Sequence, residues 1–164
     1  MKVLGVDPGL RVTGYAVFSC SERGAKSDRM DLVEAGVIRT PPKAGIAERL
    51  NRIYQGLSEV IDELRPDVLV IEKLYAHYKQ PATAILMGHA RGVVCLLCCV
   101  KKLPLVSMAS TRVKKAVTGS GHASKHQIQA MVQHALGLKS LPEPPDVADA
   151  MAIAISYAAQ KKIT

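Results

Sequence analysis

The chain predicts an α/β domain in which an antiparallel meander of three strands precedes two parallel strands reached through helices. Three observations point there. Short strand-like runs divided by tight turn signals fill residues 2–40, an amphipathic helical stripe covers residues 50–64, and an apolar run, Asp67-Val-Leu-Val-Ile-Glu72, follows it. Loops as short as the first ones join antiparallel neighbours, whereas a strand apolar on both faces marks a parallel sheet. The 164 residues suffice for one domain with a substantial core, spanning 1–164, and not for two.

Taken in order, Lys2-Val-Leu-Gly-Val6 is the first strand, and the turn signal Asp7-Pro8-Gly9 ends it. Thr13–Phe18 is the second and Asp31–Thr40 the third. Pro41-Pro42 breaks the pattern. Leu50, Ile53, Tyr54, Leu57, Val60, Ile61 and Leu64 then recur at helical spacing until Pro66. Asp67–Glu72 is the fourth strand, Ala82–Lys102 a second helix apolar around most of its circumference, and Leu103–Met108 the fifth strand. A short helix over Thr111–Val117 leads to a Gly-Ser-Gly turn at 119–121, and Ser124-Lys-His-Gln127 is a capping-box pattern opening a helix to about Leu136. The prolines at 142, 144 and 145 stiffen a linker. A final helix starts near Asp146, with Val147, Ala150, Met151, Ala154, Ile155 and Ala158 on one face.

Net charge is +8 with a pI near 9.5, which favours a polyanionic partner. Its distribution is sharper. None of the 14 acidic residues lies between 73 and 142, while ten basic residues do, among them Lys73, Lys79, Arg91, Arg112, Lys114, Lys115 and Lys125. That half of the chain is suited to phosphates. Of Cys20, Cys95, Cys98 and Cys99, the last three sit in the apolar run Val93–Val100 and read as small core residues of a reduced protein, since Cys95-x-x-Cys98 has no second ligand pair. Val3–Val6 is too short for a signal peptide, and His89 and Arg91 interrupt Ala82–Val100, so no membrane partner and a cytoplasmic location are expected.

Asp7 and Glu72 each close an apolar strand, where a carboxylate is natural because the strand emerges from the core. A helical crossover between them makes the two strands parallel, and as neighbours they would deliver both acids to one end of the sheet. Asp146 and Asp149, three residues apart, share one side of a first helical turn that can swing toward those ends. Four crowded carboxylates call for a cation, and an all-oxygen donor set suits magnesium or manganese rather than zinc. Singly, each has a plainer explanation: Asp7 as a turn residue, Asp146 as a helix cap, Asp149 as a first-turn acid. Together they point to metal-assisted phosphodiester hydrolysis. Tyr75 and Tyr78, among lysines after Glu72, would stack on exposed bases or tuck into the core.

Asp7-Pro-Gly with Thr13-Gly14, Glu72 followed by Tyr75, His89-Ala-Arg-Gly92, Val113-Lys114 with Gly119-Ser-Gly121 and Lys125, and Asp146-Val-Ala-Asp149-Ala150 together resemble the RuvC family of Holliday-junction resolvases, in order and across essentially the whole chain. The resemblance implies an RNase H-like fold, a homodimer, and Mg²⁺-dependent nicking of two opposing strands of four-way junction DNA in recombination and repair, beside the RuvA and RuvB branch-migration proteins. It implies that Asp7, Glu72, Asp146 and Asp149 hold metal, two Mg²⁺ per subunit with Mn²⁺ as a substitute. Lys114 and Lys125 fall at its basic positions for catalysis or DNA contact, and Tyr75 at its aromatic working on unpaired bases. Lys79, Arg112 and Lys115 join them as expected DNA contacts. Lys73 departs from the glutamine common in the family, and Tyr75 from the phenylalanine of some members. The apolar circumference of residues 82–102, with Gly88 and Gly92 four apart, adds its own support for a dimer on a two-fold symmetric substrate.

Rival functions share some of these residues. A YqgF-type RNA-processing nuclease has the first motif but commonly shows Arg-Ile-Gly where this chain has Arg11-Val-Thr-Gly14, and the Asp146–Asp149 pair argues against it. A non-catalytic branched-DNA-binding protein has little use for four acids at one sheet edge. Actin-like sugar kinases also open on Asp-x-Gly but need a second domain that 164 residues cannot supply.

Overall fold

The computed structural model describes residues 1–21, 30–74 and 81–163, with side chains to residue 161. Strands β1 (Lys2–Asp7), β2 (Val12–Cys20) and β3 (Met30–Arg39) form the expected antiparallel meander. Helix α1 (Ile46–Leu64) then crosses the sheet, burying Ile53 and Leu57 completely; each contributes roughly 2 kcal/mol through burial alone. The helix closes one residue before the predicted Pro66: Arg65 turns left-handed at φ 47° and its N–H reaches the Ile61 carbonyl at 2.9 Å.

Strand β4 (Val68–Glu72) enters beside β1 and parallel to it, with Val3 opposite Val68 and Val6 opposite Ile71. Helix α2 (Pro81–Val100) leads to β5 (Leu105–Met108), parallel to β4, giving the order β3-β2-β1-β4-β5. The fifth strand begins two residues later than expected. The Leu103 N–H still bonds the Cys98 carbonyl at 2.9 Å, and Pro104 has no N–H to give. Helices α3 (Ser110–Thr118), α4 (Lys125–Leu136) and α5 (Pro145–Ile163) complete the chain.

Alternation along the strands divides the core in two. Leu4, Val6, Val17, Leu69 and Ile71 pack under α1 and α2; Val3, Ala16, Phe18, Val68 and Val70 pack under α3, α4 and α5. Helix α5 lies unusually close to the sheet, because small residues meet glycine there. A Cβ on Gly5 would sit 2.3 Å from the Ala150 carbonyl oxygen, and one on Gly14 would sit 2.0 Å from that of Asp146. These two glycines locate the start of α5 over the ends of β1 and β2.

Helix α2 departs from expectation in one respect. Despite His89 and Arg91 it is long and apolar enough, by length and composition, to cross a membrane. Its inner side, Ala90, Val94, Leu97 and Cys98, is spent on the core, while Ile85 (61% exposed), Leu96 (59%) and Val100 (56%) face outward. A shallow groove of about 490 Å³ runs along that outer face between Ile85, Gly88, His89, Gly92 and Leu96.

Candidate active site

Strand parity decides where the first two acids point. Asp7 lies on the face of Val3 and Gly5, and Glu72 on the face of Val68 and Val70, which is the face α5 covers. The rung Val6–Ile71 precedes them, so they leave adjacent parallel strands side by side. Gly14, the antiparallel partner of Asp7, carries the Asp146 backbone directly upon it. Asp146 therefore stands one strand away from Asp7, and Asp149 follows on the same helix side. Distant segments thus bring all four predicted carboxylates to one end of the sheet.

Their charges interact strongly. Burial and then the neighbouring Asp149, Asp146 and Glu72 push Asp7 from 3.8 up to about 7, against the opposing pull of Lys125. Burial also raises Glu72, whose side chain is hydrogen-bonded by Ser110, and raises Asp149 against the pull of Lys125. The Lys125 ammonium lies 3.4 Å from the Asp149 carboxylate and is itself pushed upward, chiefly by that acid.

Lys125 reaches this place because it is the first residue of α4. The predicted capping box is present: the Gln127 N–H donates to the Ser124 hydroxyl at 3.2 Å, and the Ser124 N–H donates to the Gln127 side chain at 2.8 Å. A lysine at a helix N-terminus opposes the helix dipole by about 0.3–1 kcal/mol. The facing acids offset that cost. Lys114, half-buried on α3, acts on Glu72 and Asp149 from the other side.

An all-carboxylate donor set whose central member is pushed up to about 7 by burial and by its acidic neighbours fits a hard divalent cation. Among the described residues, no three carboxylate, histidine or cysteine side chains come together tightly enough to hold an ion as they stand. Like charges repel, and the Lys125 ammonium serves as the counter-charge at Asp149. The backbone brings the acids to one end of the sheet.

A cleft of about 320 Å³ opens beside Asp7 and Glu72, bounded by Lys73, Met87, Arg91 and Ser110. Two of these carry polar contacts that sequence reasoning missed. Ser110 bonds Glu72, and nothing in its sequence context marks it. Arg91 donates to the Glu72 carbonyl and to the Ser107 hydroxyl; its signal is that it is the one charged residue within α2. Of the expected DNA contacts, Lys115 is exposed on α3 beside the site. Arg112 turns away, its guanidinium 3.5 Å from the Gln160 side chain, about 16 Å of helix beyond Asp149. Tyr75, Tyr78 and Lys79 lie outside the described residues.

Comparison with known proteins adds an independent finding. Residues 3–157 match the family described as crossover junction endodeoxyribonuclease RuvC. A relative of that name from Rhodopirellula baltica is 50% identical over 153 residues, covering 93% of this chain and 83% of that protein. One from Pseudothermotoga lettingae is 42% identical over 164 residues, covering 100% of this chain and 98% of the relative. Among solved structures, Thermus thermophilus RuvC in complex with Holliday junction substrate superposes with a TM-score of 0.87 at 33% identity, covering 99% of this chain and 96% of that one.

Proposed function

Because the chain belongs to the crossover junction endodeoxyribonuclease RuvC family, we propose that it resolves Holliday junctions, hydrolysing one phosphodiester in each of two opposing strands. The observation that carries the reading is the meeting of Asp7 and Glu72, at adjacent strand ends, with Asp146 and Asp149 at the start of α5. Nucleases of this family depend on a divalent metal. We assign it here as Mg²⁺, two per subunit with Mn²⁺ as a substitute, which Asp7, Glu72, Asp146 and Asp149 would hold. When bound, such ions lower the pKa of water and stabilise charge on the reacting phosphate.

The chain's own groups supply the rest. Asp7 must be ionised to act as a ligand, so a proton and a metal ion compete for its carboxylate. Lys125 lies against Asp149 and Lys114 acts on Glu72; each cation would stabilise negative charge developing at phosphorus. Lys115, with Arg112 more distantly, would hold flanking backbone, and Tyr75 and Lys79 are proposed to contact the branch point.

Two scissile phosphates related by a two-fold axis call for two copies of the site. The exposed apolar face of α2 supports a homodimer: Ile85, Leu96 and Val100 are uncovered, and Gly88 and Gly92 permit close backbone approach. Partnership with RuvA and RuvB and a cytoplasmic location are proposed on family membership alone, as is action by residues 1–164 as one domain. The test is cleavage of a synthetic mobile four-way junction in Mg²⁺. Paired symmetric nicks are expected from the wild type, and binding without nicks from Asp7→Asn. Equal cutting of linear duplex would overturn the claim of junction selectivity.

A further inference from the structure

Helix α2 runs twenty residues from Pro81 to Val100 with one charged side chain, Arg91, and that side chain is half-buried. A guanidinium with five donors is costly to withdraw from water unless its hydrogens are bonded. Among the described residues no carboxylate pairs with it. Its bonds go to the backbone carbonyl of Glu72 and, at 2.8 Å, to the hydroxyl of Ser107. Glu72 is the last residue of β4, and Ser107 sits on β5 opposite Ile71. One side chain thus ties the ends of two parallel strands at the residue that carries the carboxylate.

We infer that Arg91 is a positioning residue that fixes the Glu72 backbone, and through it the direction of the Glu72 carboxylate, for metal binding. The inference rests on the proposed metal-dependent reading of the site. The Lys73 N–H bonds the Met108 carbonyl at 2.7 Å and Arg91 takes the Glu72 carbonyl, so both polar groups of the peptide after Glu72 are bonded and the Cα that carries the carboxylate is held at the cleft. Misplacing a reacting group by about 1 Å costs on the order of 100-fold in rate, so a clamp on that peptide has a large effect. Arginine suits the task because its planar fork reaches two acceptors at once, whereas lysine presents a single point charge. The Ser110 bond holds the Glu72 side chain, and Arg91 adds the Glu72 carbonyl to the backbone bond that Lys73 makes with Met108.

The test compares wild type, Arg91→Gln, Arg91→Lys and Ser107→Ala in three measurements. These are junction affinity in EDTA by fluorescence anisotropy, Mn²⁺ affinity of the DNA-free protein by electron paramagnetic resonance, and single-turnover nicking. Arg91→Gln is expected to keep junction affinity within about twofold, weaken Mn²⁺ binding by about tenfold and slow nicking by on the order of 100-fold. Arg91→Lys should fall between it and wild type. Unchanged Mn²⁺ affinity and nicking would overturn the inference, as would a loss of junction affinity that accounts for the whole rate loss. Should Arg91→Gln fail to unfold cooperatively, Ser107→Ala decides: a severalfold loss of Mn²⁺ affinity supports the clamp, and none overturns it. A wild type that neither binds Mn²⁺ nor nicks would instead sink the proposed function, which separates the two failures.

Discussion

Replacing Asp7 with asparagine should stabilise the metal-free protein while abolishing the proposed chemistry. Asp7 is held near 7 in the fold against 3.8 unfolded. A carboxyl whose folded pKa lies above its unfolded one binds its proton more tightly when folded. Its ionisation therefore costs stability, progressively as pH rises from about 4 to 7 and fully above. The difference of about three units is worth about 4 kcal/mol at most. Asp7 keeps partial contact with water, which screens the repulsion, so about 2 kcal/mol is the expected gain for Asp7→Asn at pH 8. At pH 5 the folded side chain is already protonated, and less than half of that gain should remain. Urea denaturation in EDTA at the two pH values measures it. Adding Mg²⁺ at pH 8 should reverse the order, because ligand binding stabilises only the protein that can bind. Equal or lower stability of Asp7→Asn in EDTA at pH 8, or the same gain at both pH values, would refute the picture of a carboxylate strained by burial and by neighbouring acids.

Gly14→Ala would drive a Cβ to 2.0 Å from the Asp146 carbonyl, so α5 must lift; a loss of about 1–3 kcal/mol by thermal or urea unfolding, with nicking lost as well, is expected. Lys125→Gln removes the positive charge that pulls Asp7 downward, so the acid limb of the nicking pH profile should move to higher pH, alongside a rate loss of on the order of 100-fold. Leu96→Asp, placed on the 59% exposed outer face of α2, should shift light-scattering mass toward monomer while the circular dichroism spectrum stays unchanged.

The positions of Asp7 and Glu72 are legible in the amino-acid sequence because each closes an apolar strand, and a crossover of one helix makes such strands parallel. Their shared orientation is implicit there too, since parity ties each to the apolar residues two and four before it. The seat of α5 is not legible in the same way. It depends on Gly5 and Gly14 lying in line across two strands beneath an alanine-rich helix face, a match that exists only once the strands are in register. Ser110 is hidden for a similar reason: a serine opening a helix looks like any other until β5 delivers it to the end of β4. The capping box at Ser124 belongs to the opposite class, being local, and the fold reproduces it residue for residue.

The acid-free stretch from 73 to 142 shows where counting charges misleads. Ten basic residues there suggest a surface facing phosphates, yet the fold uses three of them internally: Lys101 pairs with Asp62 at 2.6 Å, Lys125 with Asp149 at 3.4 Å, and Arg91 with the ends of β4 and β5. Of those, Lys125 alone has a partner that a divalent ion would displace, because Asp149 belongs to the proposed metal-binding set. The same segment therefore serves two purposes that sequence cannot separate. Part of it balances the acids within the site, and Lys115, exposed on α3, is available to the DNA backbone. Each phosphate neutralised contributes about 0.9 to the slope of binding against the logarithm of salt concentration. The slope per subunit should consequently be smaller than ten basic residues imply, and loading the site with metal should steepen it by freeing Lys125 for the junction.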